Sequence, residues 1–208
     1  MLWRFVSGVF LVALPCSGIA QWVMQNSQTR ADLRGIHSVD GSVAWASGSG
    51  GTVLRTGDGG EHWQKCAIPD AASDGSTLDF RGVQGWDADT AVVMSSGPGE
   101  KSRLYKTTDG CRTWKLLLRN TDPDGFYDAF WLNAIYGEGM VLGDPVKDQI
   151  TVLMTDDGGV TWRRDPSRSL QLHGLSIAAF AASNSSIGRA SRVRGTCEGQ
   201  VSTLSLAS

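Results

Sequence analysis

Thr56-Gly57-Asp58-Gly59-Gly60-Glu61-His62-Trp63, Thr107-Thr108-Asp109-Gly110-Cys111-Arg112-Thr113-Trp114 and Thr155-Asp156-Asp157-Gly158-Gly159-Val160-Thr161-Trp162 are three copies of one motif. They recur roughly every 50 residues, the period of a propeller blade. In each copy an alternating run (Thr52-Val53-Leu54-Arg55, Arg103-Leu104-Tyr105-Lys106, Thr151-Val152-Leu153-Met154) enters an Asp/Gly turn, and a Trp follows. This is a hairpin signature: the carboxylate accepts from turn amides and Gly supplies positive φ. The Trp opens the return strand, where its large apolar surface can pack between sheets. Asp58, Gly60, Trp63, Asp109, Trp114, Asp157, Gly159 and Trp162 are therefore read as structural.

Equivalent runs precede each copy. Leu33 to Val39, Phe80 to Trp86 and Ala129 to Tyr136 are candidate inner strands, and the runs starting at Val43, Thr90 and Met140 are candidate second strands. Four short strands per repeat, separated by turn signals, make a propeller blade. The fold class expected is all-β, a propeller of four-stranded blades. About 190 residues follow the leader, giving three to four blades, at the bottom of the usual range of roughly 4 to 8 and so an incomplete ring. The run from Gly174 reads as a fourth inner strand, but no fourth turn motif follows it. Residues 184–208 read as an irregular or disordered tail of the kind a frameshift leaves.

The motif Ser/Thr-x-Asp-x-Gly-x-Thr-Trp resembles the Asp-box, or bacterial neuraminidase repeat, of β-propellers. Two copies depart from it, with Cys111 in place of Gly and His62 in place of Thr. Leu-Arg-Gly-Ile from Leu33, Trp-Ala-Ser-Gly-Ser-Gly-Gly-Thr-Val-Leu-Arg-Thr from Trp45 and the Tyr-Lys-Thr-Thr-Asp-Gly turn from Tyr105 are similar to exported propellers related to photosystem II stability and assembly factors. The likeness runs from about Trp22 to Ser183. It implies a non-catalytic, exported binding or assembly scaffold for a protein or peptide partner. The alternative is a sialidase-like glycoside hydrolase, for which Arg34 and Arg81 would supply two members of an Arg triad, although no Phe/Tyr-Arg-Ile-Pro signature is present.

The N-terminus reads as a signal peptide over residues 1–20: basic Arg4, an apolar core from Val6 to Leu14 too short for a membrane span, and small residues before Gln21. A lipid anchor on Cys16 is disfavoured by Pro15. The location expected is periplasmic or extracellular. A net charge of −2 argues against nucleic acid as a partner. Cys66, Cys111 and Cys197 remain after cleavage, with no zinc spacing; Cys66 and Cys111 either bridge in an oxidising compartment or persist as buried thiols. No cofactor is implied. Residues 122–128 concentrate carboxylates about Gly125 but lack the EF-hand ligand pattern, and they read as a loop between blades.

Blade topology places the repeat turns on one face. The opposite face gathers residues 48–51, 69–79, 97–102, 120–128 and 144–149, and such polar loops make the better binding surface. Arg34 and Arg81 recur at the start of successive inner strands, each followed by Gly. With Lys101, Asp128 and Asp144 they form the candidate rim, suited to an acidic peptide, a carboxylate or a glycan. The competing reading has each guanidinium bonded to carbonyls of its own blade.

Overall fold

A computed structural model of the chain describes residues 23–68, 78–133 and 135–164. These residues form twelve strands in three antiparallel sheets of four, each running in sequence order. The first sheet holds β1 (Leu33–Ser38), β2 (Ala44–Gly48), β3 (Thr52–Thr56) and β4 (Gln64–Cys66). The second holds β5 (Phe80–Gly85), β6 (Thr90–Ser95), β7 (Arg103–Thr108) and β8 (Lys115–Arg119). The third holds β9 (Tyr127–Leu132), β10 (Gly139–Val146), β11 (Gln149–Thr155) and β12 (Arg163–Arg164). First strands pack on first strands, β1 on β5 and β5 on β9, so the sheets stand as blades about an inner edge. The leader, residues 69–77, the expected fourth inner strand and the tail lie outside the described residues.

Two apolar layers separate the blades, and β6 supplies both. Its Ala91 and Val93 face Trp45, Val53, Phe80 and Tyr105. Val92 and Met94 face Phe130, Leu132 and Val141. The two-residue alternation of a strand buried on both sides explains why this segment reads as a continuous apolar run. Polar bonds reinforce each layer. Trp45 Nε1 donates to Asp87 O at 3.0 Å, and the Gln84 amide both donates to Leu132 O (2.7 Å) and accepts from Leu132 N (3.1 Å). Cys66 in β4 and Cys111 in the second repeat turn are joined by a disulfide with a Cα–Cα distance of 5.5 Å. Of the two readings open in the sequence, the bridge is the one adopted.

Two expected boundaries move. The third inner strand starts at Tyr127 and ends at Leu132, because the Asn133 side chain accepts the amides of Ile135 and Tyr136 and turns the chain early. The expected 144–149 loop is instead the end of a hairpin. Asp144 and Pro145 belong to β10, where the register slips between Gly143 and Val146 and tolerates the proline. Lys147 and Asp148 make the two-residue turn with φ of 51° and 66°, the geometry that matches strand twist.

Candidate functional site

All three repeat turns share one hydrogen-bond lattice. A buried Thr hydroxyl donates to the Asp Oδ1 two residues on: Thr56 to Asp58 at 2.8 Å, Thr107 to Asp109 at 2.9 Å, Thr155 to Asp157 at 2.8 Å. The same hydroxyl accepts the amide of Gly60, Cys111 or Gly159. Each Oδ1 also accepts the amide four residues on, from His62, Thr113 or Thr161, at 2.9 Å in every case. These donors hold the carboxyls far below the ordinary range. Asp58 falls to about 2, chiefly through the His62 amide. Asp109 falls to about 2, chiefly through the Thr113 hydroxyl. Asp157 is lowered as well, chiefly by the Thr161 hydroxyl. Carboxylates with this many donors are occupied as turn locks. Each turn is further tied to the first turn of its own blade, by Gly59 N to Ser42 O, Gly110 N to Asp89 O and Gly158 N to Gly137 O.

The Trp residues of the repeat turns divide. Trp114 is buried and meets Trp45 of the preceding blade edge to face at 6.4 Å. Trp162 is half-buried and donates from Nε1 to Gly159 O, and Trp63 is half-buried. Among the described residues, Asp58, Glu61 and His62 bring ligand-type atoms within 4.8 Å of one another, all exposed. The carboxylates of the 122–128 stretch are spread between a turn and a strand. Asp122 accepts from Asp124 N at 3.3 Å, whereas Asp128 is buried within β9.

On the opposite face the inner strands carry a repeated irregularity. Registers slip between Leu33 and Gly35, between Phe80 and Gly82, and opposite Asp128 between Tyr127 and Ala129. Arg34, Arg81 and Asp128 are thus the bulge residues of three successive inner strands, and a bulge re-aims its side chain. Arg34 Nε donates to Asp79 Oδ1 at 2.8 Å across the blade boundary, while Arg81 Nε donates to Asp79 Oδ2 at 2.9 Å. The Arg81 guanidinium also stands 5.6 Å from the Phe126 ring centroid. Each arginine therefore reaches the residue just before the next inner strand. Glycine makes that approach possible: a Cβ on Gly35 would sit 3.2 Å from Arg81 O, and one on Gly82 would lie 2.9 Å from the Phe130 ring.

The remaining rim residues are placed unequally. The Asp144 amide donates to Phe126 O at 2.9 Å, which joins it to the Arg81 end of the row. Lys101 is exposed in a short 3-10 turn, Gly99–Lys101, that leans on the neighbouring loop through Gly99 N to Gly125 O. Asp128 shares the bulge position, yet its side chain is buried rather than presented at the rim. Sequence reasoning missed Asp79 and Phe126. In Asp79-Phe80-Arg81 the two charges fall on one side of a strand, and that spacing was the available signal.

No family model matches the chain. Its sequence is 26% identical over 160 residues to the photosystem II assembly lipoprotein Ycf48 of Synechococcus sp. (strain CC9902), covering 76% of this chain and 44% of that protein. A solved structure of YCF48 from Cyanidioschyzon merolae superposes with a TM-score of 0.50 at 24% identity, over 65% of this chain and 40% of that one. The chain is a β-propeller similar in sequence to a photosystem II assembly factor. A further solved structure, YCF48 bound to D1 peptide, matches with a TM-score of 0.50 at 20% identity, over 65% of this chain and 40% of that one. This propeller thus spans less than half the length of the relatives it matches. Among its described residues no helix is long and apolar enough to cross a membrane.

Proposed function

We propose that the chain is an exported, non-catalytic Asp-box scaffold that captures an acidic peptide, or a peptide carboxylate, at the rim built by Arg34, Asp79 and Arg81. The observation that carries this reading is the convergence of two arginines from successive inner strands on one carboxylate, on the face away from the repeat turns. Asp79 takes each Nε and so fixes both guanidinium planes. The incoming carboxylate takes the terminal nitrogens, for which the planar fork is suited. Phe126 adds an apolar surface beside Arg81. Relatives of the same architecture include a Ycf48 with a peptide bound, which supports a peptide as the ligand class. Export is supported by the Cys66–Cys111 bridge, since disulfides persist in oxidising compartments.

The test is a pull-down from the host followed by titration of the recovered partner. Arg34→Ala with Arg81→Ala should weaken capture by roughly 2 kcal/mol or more if both contacts are charge-assisted. Lysine at both positions should restore only part of the loss. Equal affinities in wild type and the double variant would remove the rim as a site. Hydrolysis of a fluorogenic sialoside that is lost with the same arginines would replace this reading with the glycosidase one.

A further inference from the structure

Asp32, Asp79 and Phe126 occupy one position of the repeat. Each stands just ahead of its blade's inner strand, and each accepts at its carbonyl an amide from the chain opposite: Ser49 N to Asp32 O at 3.0 Å, Ser96 N to Asp79 O at 2.9 Å, Asp144 N to Phe126 O at 2.9 Å. Two residues on from each comes the bulge residue, Arg34, Arg81 or Asp128. An acid followed by an arginine in the first two blades thus becomes a phenylalanine followed by an acid in the third. The third blade breaks the charge pattern at both places.

The break changes what an arginine meets across a blade boundary. Arg34 meets the Asp79 carboxylate at 2.8 Å. Arg81, one blade on, meets the Phe126 ring at 5.6 Å and takes Asp79 of its own blade through Nε. One carboxylate therefore serves two guanidinium groups, and the boundary carries surplus positive charge. The Arg81 side chain is 31% exposed and Phe126 is half-buried, so both are reachable from the rim. We propose that the ligand supplies the carboxylate that Phe126 displaced from the repeat: an Asp or Glu side chain on Arg81, in an extended peptide whose apolar residue two places away packs on Phe126. This rests on the rim reading above and gives it a recognition pattern. Two residues of extended chain advance about 6.7 Å and return to the same face, whereas the intervening residue faces away. That advance is close to the separation of guanidinium and ring. The carboxylate makes charge-assisted bonds, and the ring covers the apolar side chain.

The probe is a labelled peptide, amidated at its C-terminus, with one Asp and one Leu two residues on in a Ser/Gly background, titrated onto the full chain by fluorescence anisotropy. It should bind at least about threefold more tightly than a peptide of the same composition with Leu next to Asp, since only the first buries its apolar side chain on the ring. That comparison needs no variant. Phe126→Asn should erase the preference and keep binding of the acid. Phe126→Asp, nearly the same shape, should weaken binding a further tenfold or about that, because its own carboxylate then occupies the seat. Circular dichroism checks that both variants fold. Equal affinities for the two spacings, or folded Asn and Asp variants that bind alike, overturn the pattern; the rim reading survives that result if Arg34→Ala with Arg81→Ala still abolishes capture. Binding that ignores both arginines overturns the two together.

Discussion

His62 Nδ1 lies 2.7 Å from Asp58 Oδ2, in the place where Thr113 and Thr161 each donate a hydroxyl to the same oxygen of their own Asp. The imidazole and the hydroxyl are interchangeable as donors in one lattice, which explains how the first repeat departs from the motif without losing its turn. His62→Thr should therefore leave the melting temperature close to that of the wild type, while His62→Leu should lower it. Equal losses from both, followed by circular dichroism, would show that the ring itself and not its donated bond holds the turn.

Acid should act through the same carboxylates. Asp58 and Asp109 are depressed to about 2 from an unfolded value of 3.8. Their contribution is thus fully present above about pH 4 and is lost as the pH falls through the folded value. Thermal scans from pH 6 to pH 2 should show a decline that is shallower in Asp109→Asn than in the wild type. Parallel curves would count against the turn aspartates as the source.

Cys111 adopts φ 66° where the sister turns use Gly60 and Gly159, a conformation costing a side chain roughly 1 kcal/mol. The bridge offsets it: closing a separation of 45 residues is worth about 4 kcal/mol in the chain-entropy account. Cys66→Ala should consequently be more destabilising than Cys66→Ala with Cys111→Gly, because the second change relieves the backbone. Urea denaturation of the pair checks the order, and the reverse order would show that the φ of Cys111 costs nothing.

Gly82 faces the Phe130 ring with no room for a Cβ. Gly82→Val should push β5 from β9 and destabilise by about 1 to 3 kcal/mol, as overpacking does. The companion change Phe130→Leu should recover part of that loss, and no recovery would locate the damage elsewhere.

Much of the scaffold was legible because its signals are local. The Thr52, Arg103 and Thr151 runs alternate at strand period, and the turns between them carry Asp and Gly at fixed offsets. The rim was legible only in part. Arg34 and Arg81 could be placed by their recurrence, but the carboxylate that Arg34 meets is carried by the next blade, and pairing across blades leaves no periodic trace. Asp128 shows the same limit from the other side: its position matches the two arginines, yet its side chain is buried. The 144–149 stretch was misjudged because polar composition suggested a loop, where positive φ at Lys147 and Asp148 allowed a tight reversal.

β6 lends alternate residues to two cores, Ala91 and Val93 to one and Val92 and Met94 to the other. Among the described residues, an opening of the middle blade must therefore break both of these cores at once, whereas an opening of the first or the third breaks one of them. Repeat arrays behave as chains of nearest-neighbour couplings. The order of local opening should follow, with amides of β6 exchanging last and close to the rate of global unfolding. Within the described residues the middle blade is then the cooperative keystone.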